Sequence, residues 1–413
     1  MRRAVLTLLA GGVLAQALPL LLGPWLTRLY GPAEFGLYSL FAAVAANVAI
    51  VACGRYEFAL PMAADEAEAT ALRTLCQRLL LAATGVAALG GIGWALVVGQ
   101  AWPLWLPAAV GALGLVSLAT LQATRMQRYR QLAIARVLQH GGGAVAQLGA
   151  GLLQGGVHGL IVAPITAALA SVATLGWPKP AGASRARWLA AARVHRSFPL
   201  LNTPHAFLGA LQDTLAVALI TAQLGAAAAG AWGLALRYLK APATLVGGAV
   251  SQVLYPRLAQ AGRTVAGRQL VRRTMAVLAA LAAPLVAGLW WGAPGLFSWA
   301  FGAEWREAGV LAGSLAVYIG GHFVASPMGV VTLAWDAQAW ALKLALVGQG
   351  LFVAALAGGL AWGGLQGAGW AVSAAMAVYF GWYFFKLATW PVAATPAVGG
   401  SASGAAPGAG LTP

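Results

Sequence analysis

Three ionisable residues lie inside long apolar runs of the sequence, where a charge costs about 2.5 to 3.5 kcal/mol at the centre of a membrane span. Asp213 falls in one run, and Arg237 and Lys240 fall in the next, three positions apart and therefore on one face of a helix. Two cations on one face suit a diphosphate, whose charge is spread over several oxygens. The structural alternative is that Asp213 pairs with one of these cations only to offset desolvation.

The apolar runs that hold these residues dominate the chain. Of its 413 residues, 61% are hydrophobic and only 8% are charged, whereas a soluble domain is about 25% charged. A membrane helix needs about 20 apolar residues, so we predict an all-α integral membrane protein with about twelve transmembrane helices. This composition excludes an ordinary soluble protein. The fifth predicted helix, at 140–155, is the least defined because glycines interrupt it.

The basic residues follow the topology of these helices. A formal net charge of +16 would suit nucleic acid only if it formed a basic folded face, and the cations fall instead between apolar runs, so no nucleic-acid partner is expected. With the N-terminus inside, the cytoplasmic loops hold nearly all of the 25 Lys and Arg residues, as the positive-inside rule requires. We therefore predict an even number of spans and two cytoplasmic termini.

The two halves of the chain resemble each other weakly at one constant offset. The matching positions are Thr27, Gly31, Ala33, Gly36 and Leu40 in the first half and Thr221, Gly225, Ala227, Gly230 and Leu234 in the second. Chance is the alternative in a chain rich in Ala, Gly and Leu. A duplication predicts two parallel six-helix lobes around a central cavity, over 1–175 and 200–390, joined by a cytoplasmic linker over 176–199. The uncharged tail, 391–413, is predicted to be disordered.

The pattern of reactive side chains does not predict an enzyme. The five histidines are scattered without a ligand spacing, and no phosphate-binding ATPase loop occurs. We therefore expect no catalytic residues, no cofactor and no bound metal. Cys53 and Cys76 lie near the predicted cytoplasmic ends of two spans, in a reducing compartment, so a disulfide is not expected.

Two further arginines, Arg28 and Arg55, follow the first and second predicted spans. Each either reaches the cavity or anchors the helix at headgroup depth beside aromatic residues such as Trp25 and Tyr56. Uncharged polar residues such as Gln16 present a similar choice, since they either line a hydrated cavity or form hydrogen bonds between helices.

Several segments, taken in order along the chain, carry a resemblance to a known family. They are PWLTRLYGPAEFG at 24–36 with Arg55-Tyr56-Glu57 and Pro61, FPLLNTP at 198–204, Gly230 to Pro256, and FGAEWREAG at 301–309. Together they resemble the bacterial oligosaccharide flippases of the Wzx-type polysaccharide biosynthesis proteins. These belong to the multidrug, oligosaccharidyl-lipid and polysaccharide exporter superfamily, which also holds the lipid II flippase.

The resemblance implies a function and a site. It implies that an undecaprenyl diphosphate-linked oligosaccharide moves from the cytoplasmic to the periplasmic leaflet of the bacterial inner membrane, for O-antigen, capsule or exopolysaccharide. A cationic cavity of Arg28, Arg55, Arg237 and Lys240 would bind the diphosphate, with Asp213 as a charge partner or ion-coupling residue. Membrane lipids, a polysaccharide polymerase and a chain-length regulator are the implied partners.

A cation-coupled multidrug antiporter on the same scaffold is the alternative. Such a protein is expected to have a cavity rich in aromatic and acidic side chains, whereas Asp213 is the sole clear acid inside a predicted span. The number of predicted spans is smaller than in the lipid II flippase, which argues against lipid II as the substrate.

Overall fold

The computed structural model describes residues 2–178 and 182–392, and these residues form helices and short connections without a strand. Apolar runs adopt this structure because only a helix or a closed barrel satisfies every backbone polar group inside a bilayer. Eight helices of the described part are long and apolar enough to cross a membrane. The protein is therefore a multi-pass membrane protein.

The first half of the chain begins with a helix that bends into a second, short one. Its helices are α1 (Arg2–Leu21), α2 (Gly23–Leu29), α3 (Pro32–Val51), α4 (Glu66–Val98), α5 (Leu106–Arg125), α6 (Tyr129–Val137), α7 (Gly143–Leu152) and α8 (Gly156–Leu175). A π turn, Leu138–Gly142, joins α6 to α7. The fifth predicted span is thus one continuous helical run that begins at Tyr129, well before residue 140, because the π turn carries the helix through its glycines.

The second half repeats this arrangement of long helices. After α9 (Arg185–Val194), its helices are α10 (Thr203–Leu224), α11 (Ala226–Ala261), α12 (Val265–Phe301), α13 (Arg306–Ser314), α14 (Ala316–Ala334) and α15 (Gln338–Ala388). The last helix reverses at Gly363 and Gly364, where φ is −149° and +58°, so it forms two spans. Each of the predicted spans therefore coincides with a helical run. Residues 393–413 of the predicted tail lie outside the described residues.

The predicted linker contains a helix, α9, that the sequence analysis did not anticipate. His195 at its end lies with Nε2 2.8 Å from Glu68 Oε1 on α4. The hydroxyl of Tyr56 donates to the Ala192 carbonyl oxygen at 3.2 Å. These contacts attach the linker to the first half of the chain.

The buried apolar residues form separate cores that follow the chain. One core, with Leu72 and Trp102, draws its residues from the first half and from Ala191 of α9, and another, with Leu258 and Met328, draws all of its residues from the second half. The largest core combines Tyr30 and other residues of α2 and α3 with residues of the second half. The two halves thus pack internally, and their largest shared core lies at the end of the bundle that carries the turn at Gly31, here called the Gly31 end.

The backbones of the two halves approach each other closely where α3 crosses α11. A Cβ atom at Gly36 would overlap the carbonyl oxygen of Ala226, and a Cβ atom at Gly230 would overlap that of Pro32. The offset that relates Gly36 to Gly230 also relates Pro32 to Ala226. A reciprocal contact of this kind is the signature of a two-fold axis between two copies of one unit. The repeated glycines therefore lie where the halves touch.

Aromatic residues close the same end. Trp305, which is 1% exposed, donates from Nε1 to the Thr27 carbonyl oxygen at 3.1 Å. Its ring meets the edge of Phe35 with 5.2 Å between centroids. Because Trp305 and Thr27 belong to different halves, these contacts seal the Gly31 end across the boundary.

Substitution of Gly36 tests this crossing. We expect Gly36→Ala to lower stability by about 1 to 3 kcal/mol, because its methyl group overlaps backbone that cannot rotate away. Gly230→Ala should have a similar effect, since the contact is reciprocal. Thermal unfolding of the purified protein in detergent measures both.

Gly93→Ala is the matched control, because Gly93 also lies within a helix and a Cβ there meets nothing within 4 Å. We expect this control to melt at or above the wild-type temperature. Equal melting temperatures for the variants at Gly36 and Gly93 would show that the crossing is not tight.

Candidate functional site

A cavity of about 560 Å³ lies beside the crossing, between α1 and α11. Gln16 and Pro19 of α1, His140 of the π turn and Asp213 of α10 line one side. The opposite side is formed by α11 residues that recur mainly at spacings of three or four, as one helical face requires. They are Trp232, Gly233, Leu236, Arg237, Lys240, Ala241 and Thr244.

Lys240 is held by a weak, open ion pair. Its Nζ lies 3.7 Å from Asp213 Oδ1, and the two side chains are 28% and 61% exposed. Lys240 also contacts the Tyr318 hydroxyl on α14. A pair this long and this open contributes at most about 1 kcal/mol. Lys240 can therefore exchange Asp213 for another anion at little cost.

Arg237 has no acidic partner of this kind. Its Nη2 donates to the Pro19 carbonyl oxygen at 3.3 Å, and among the described residues no carboxylate lies within ion-pair distance of it. A guanidinium has five N–H donors, so one bond to a carbonyl leaves the others free. Asp213 thus offsets one of the two cations, and the cavity keeps an excess of positive charge.

The end of α1 provides the carbonyl oxygens to which this part of α11 binds. Pro24 has no N–H, so the carbonyl oxygen of Leu20 lacks its helical donor. The hydroxyl of Tyr238 donates to that oxygen at 2.7 Å, and it packs so closely on Gly23 that a Cβ there would overlap it. Arg237 and Tyr238 therefore bind two consecutive carbonyls of α1 and connect the two halves beside the cavity.

The other two predicted cavity arginines lie elsewhere in this structure. Arg28 is exposed at the end of α2. Arg55 lies 4.1 Å over the Phe58 ring, and its Nε donates to Asn202 Oδ1 at 2.9 Å. Arg55 thus links the segment after α3 to the start of α10. The structure brings together Arg237, Lys240 and Asp213, and it leaves Arg28 and Arg55 outside the cavity lining.

Two residues of this region were missed by the sequence analysis. His140 was considered only as a metal ligand, although the glycines that follow it mark the π turn that presents it, a feature frequent at functional sites. Tyr318 contacts Lys240 from α14, and no sequence signal shows which residue of a distant helix faces α11.

The comparison with family models decides the family. The model described as polysaccharide biosynthesis protein matches residues 25–309, more than half of the chain. The chain belongs to this family. A comparison with curated proteins finds no significant match.

Solved structures similar to this family member are membrane transporters. The lipid II flippase MurJ in an inward closed conformation has a TM-score of 0.67 at 9% identity, over 92% of this chain and 89% of that one. An inward-facing MATE multidrug transporter of the MOP superfamily has a TM-score of 0.59 at 14% identity, over 90% and 93%.

A third similar structure, from Pyrococcus furiosus, is a MOP superfamily transporter described by the reverse polarity of its binding pocket. It has a TM-score of 0.52 at 14% identity, over 93% of this chain and 94% of that one. At these identities the likeness concerns the fold. The prediction of an all-α membrane protein with two six-helix lobes around a cavity is confirmed.

The hydrogen bond from Tyr238 to Leu20 is testable by removing one atom. We expect Tyr238→Phe to lower stability by about 1 to 3 kcal/mol, because the Leu20 carbonyl, already without a helical donor, loses its partner. Thermal unfolding in detergent measures the change. Tyr255→Phe on the same helix is the control, since Tyr255 is 46% exposed, and an equal loss in both variants would contradict the assignment.

Proposed function

We propose that the protein is a flippase that moves an isoprenoid diphosphate-linked oligosaccharide from the cytoplasmic to the periplasmic leaflet. The observation that carries the proposal is the pair Arg237 and Lys240, which line one cavity between the halves with a single carboxylate between them. Membership of the polysaccharide biosynthesis family supports a glycan precursor as the cargo.

In the proposed complex, the diphosphate replaces the weak partners of Lys240 and Arg237. One phosphate displaces Asp213 from Lys240, and the other accepts two parallel N–H bonds from Arg237 in the bidentate geometry that a guanidinium favours. The exchange favours binding because a 3.7 Å ion pair and a 3.3 Å bond to a carbonyl are given up for short charge-assisted bonds. A volume of about 560 Å³ is within the range of pockets that hold drug-sized ligands.

The isoprenoid tail does not need to enter this cavity. It stays in the lipid while the diphosphate and the sugars pass through the protein, which spares the polar groups direct contact with hydrocarbon. Rocking of the lobes, 1–175 against 200–390, then opens the Gly31 end. An inside-negative potential favours outward movement of negative charge by about 2.3 kcal/mol per charge per 100 mV.

This proposal places the protein in the bacterial inner membrane with both termini in the cytoplasm. The Gly31 end then faces the periplasm, where a polymerase with its chain-length regulator consumes the oligosaccharide for O-antigen, capsule or exopolysaccharide. The protein catalyses no chemical reaction in this scheme.

Replacement of the two cations tests the diphosphate site. We expect Arg237→Ala and Lys240→Ala each to lower export at least about tenfold, because a hydrogen bond to a charged group contributes about 1.5 to 3 kcal/mol. Arg237→Lys should keep part of the activity, since it keeps the charge and loses the planar fork. The measurement is the ratio of lipid-linked oligosaccharide to surface polysaccharide in a complemented deletion strain.

Arg257→Ala is the control, since Arg257 is exposed on the same helix and lies outside the cavity lining. It should export normally. Full export by a doubly substituted protein that inserts at the wild-type level would show that these cations do not bind the cargo.

A cation-coupled multidrug antiporter is the second candidate, favoured by the open carboxylate of Asp213 in the cavity. The two functions predict different effects of Asp213→Asn. In a flippase the change frees Lys240, so the Kd for farnesyl diphosphate in detergent should fall up to about fivefold. In an antiporter it should abolish export of cationic dyes and leave the Kd for farnesyl diphosphate unchanged.

A further inference from the structure

Three buried side chains of metal-ligand type meet at the end of α3 that lies away from the Gly31 end. Cys53 lies two residues after the end of α3, Glu57 belongs to the 3₁₀ segment Tyr56–Met62, and Cys76 lies on α4. The two sulfur atoms and a carboxylate oxygen all lie within 4.8 Å of one another. The three residues are 1%, 2% and 0% exposed.

The backbone after Cys53 is shaped to bring Glu57 back toward it. Gly54 and Arg55 both adopt left-handed conformations, with φ of 57° and 61°, so the chain reverses within two residues. Such a conformation is strained for arginine, and strain of this kind concentrates at functional sites. The turn therefore places a carboxylate beside the thiol that comes four residues before it.

The carboxylate of Glu57 is only half satisfied by the protein. Ser117 donates to its Oε1 at 3.3 Å, whereas its buried Oε2 has no hydrogen-bond partner among the described residues. Arg55, the cation whose charge acts on Glu57, donates from its Nε to Asn202 instead. Burial raises the pKa of the Glu57 carboxyl group, so a charge here requires a cation to accompany it.

We propose that Cys53, Glu57 and Cys76 bind a divalent metal ion, for which Zn²⁺ is the best fit. Thiolates select borderline and soft metals such as zinc over calcium or magnesium, and a carboxylate completes many zinc sites. Bonds of about 2.3 Å to sulfur and about 2.0 to 2.2 Å to oxygen need donor separations of about 3.5 to 4 Å. Side-chain rotations that move the donors by about 1 Å bring the present arrangement to that spacing.

Binding has a defined proton balance and a structural consequence. Zn²⁺ replaces the protons of the two thiols, and these protons are released to solvent. The ligands come from three successive elements, so the metal fastens the end of α3 and the 3₁₀ segment to α4. It thereby fixes the turn that carries Arg55. The sequence analysis expected no metal because it considered histidine spacing and not these cysteines.

Metal analysis of the purified full-length protein tests the proposal. After equilibration with zinc and removal of free metal, we expect about one zinc per chain in the wild type and less than about a tenth of that in Cys53→Ala/Cys76→Ala. Glu66→Gln is the control, since Glu66 is a nearby carboxylate with a 66% exposed side chain, and it should keep the zinc. No zinc in the wild type, or equal zinc in the double cysteine variant, overturns the proposal.

Two measurements on the wild type remain decisive if the cysteine variant does not fold. Reconstitution with Co²⁺ should give thiolate-to-cobalt absorption in the near ultraviolet. A strong chelator should lower the melting temperature by at least about 3 °C, and zinc should restore it. Bound cobalt without thiolate absorption, or a melting temperature indifferent to chelation, overturns the proposal.

Discussion

The backbone-to-backbone approach of α3 and α11 is the contact on which the rest of the structure depends. Two glycines allow it, and each brings the opposite helix close enough that a single methyl group would overlap a carbonyl oxygen. Without an apolar driving force between helices inside a bilayer, such close packing is the main source of attraction. The crossing joins the halves near the Gly31 end, and it positions the α11 face that lines the cavity next to α1.

The positive charge of the cavity comes from α11, and the wall beside it is formed by the interrupted end of α1. Pro24 removes the helical donor of the Leu20 carbonyl, to which Tyr238 of the other half donates, and Arg237 donates to the neighbouring Pro19 carbonyl. A guanidinium bonded to a neutral carbonyl keeps its full charge, unlike one paired with a carboxylate. The contact with α1 thus holds Arg237 in place without neutralising its charge.

The helices were predictable from the sequence, and the cavity was predictable only in part. Hydropathy marks where a chain must be helical in lipid, so the spans were found, and the spacing of Arg237 and Lys240 was enough to place them on one face. Hydropathy does not register a π turn, so the sequence analysis placed the start of the fifth helix at residue 140 instead of Tyr129. It also missed α9, whose apolar side packs on protein instead of lipid.

The arginines show the limit of prediction from the local sequence. Arg28 and Arg55 have the same local character as the cations of α11, yet one is exposed and the other binds Asn202. Their positions depend on a left-handed turn and on the register between helices that are far apart in sequence. Tyr318, which contacts Lys240, was missed for the same reason. No local pattern carries this information.

The charged residues of the cavity have no charged counterparts at the offset that relates the two halves. At that offset, the first-half counterparts of Arg237 and Lys240 are Ala43 and Ala46, and the counterpart of Asp213 is Pro19. The positions of α11 that carry the two cations therefore correspond to alanines of α3, so the positive charge of the cavity comes from only one of the two halves.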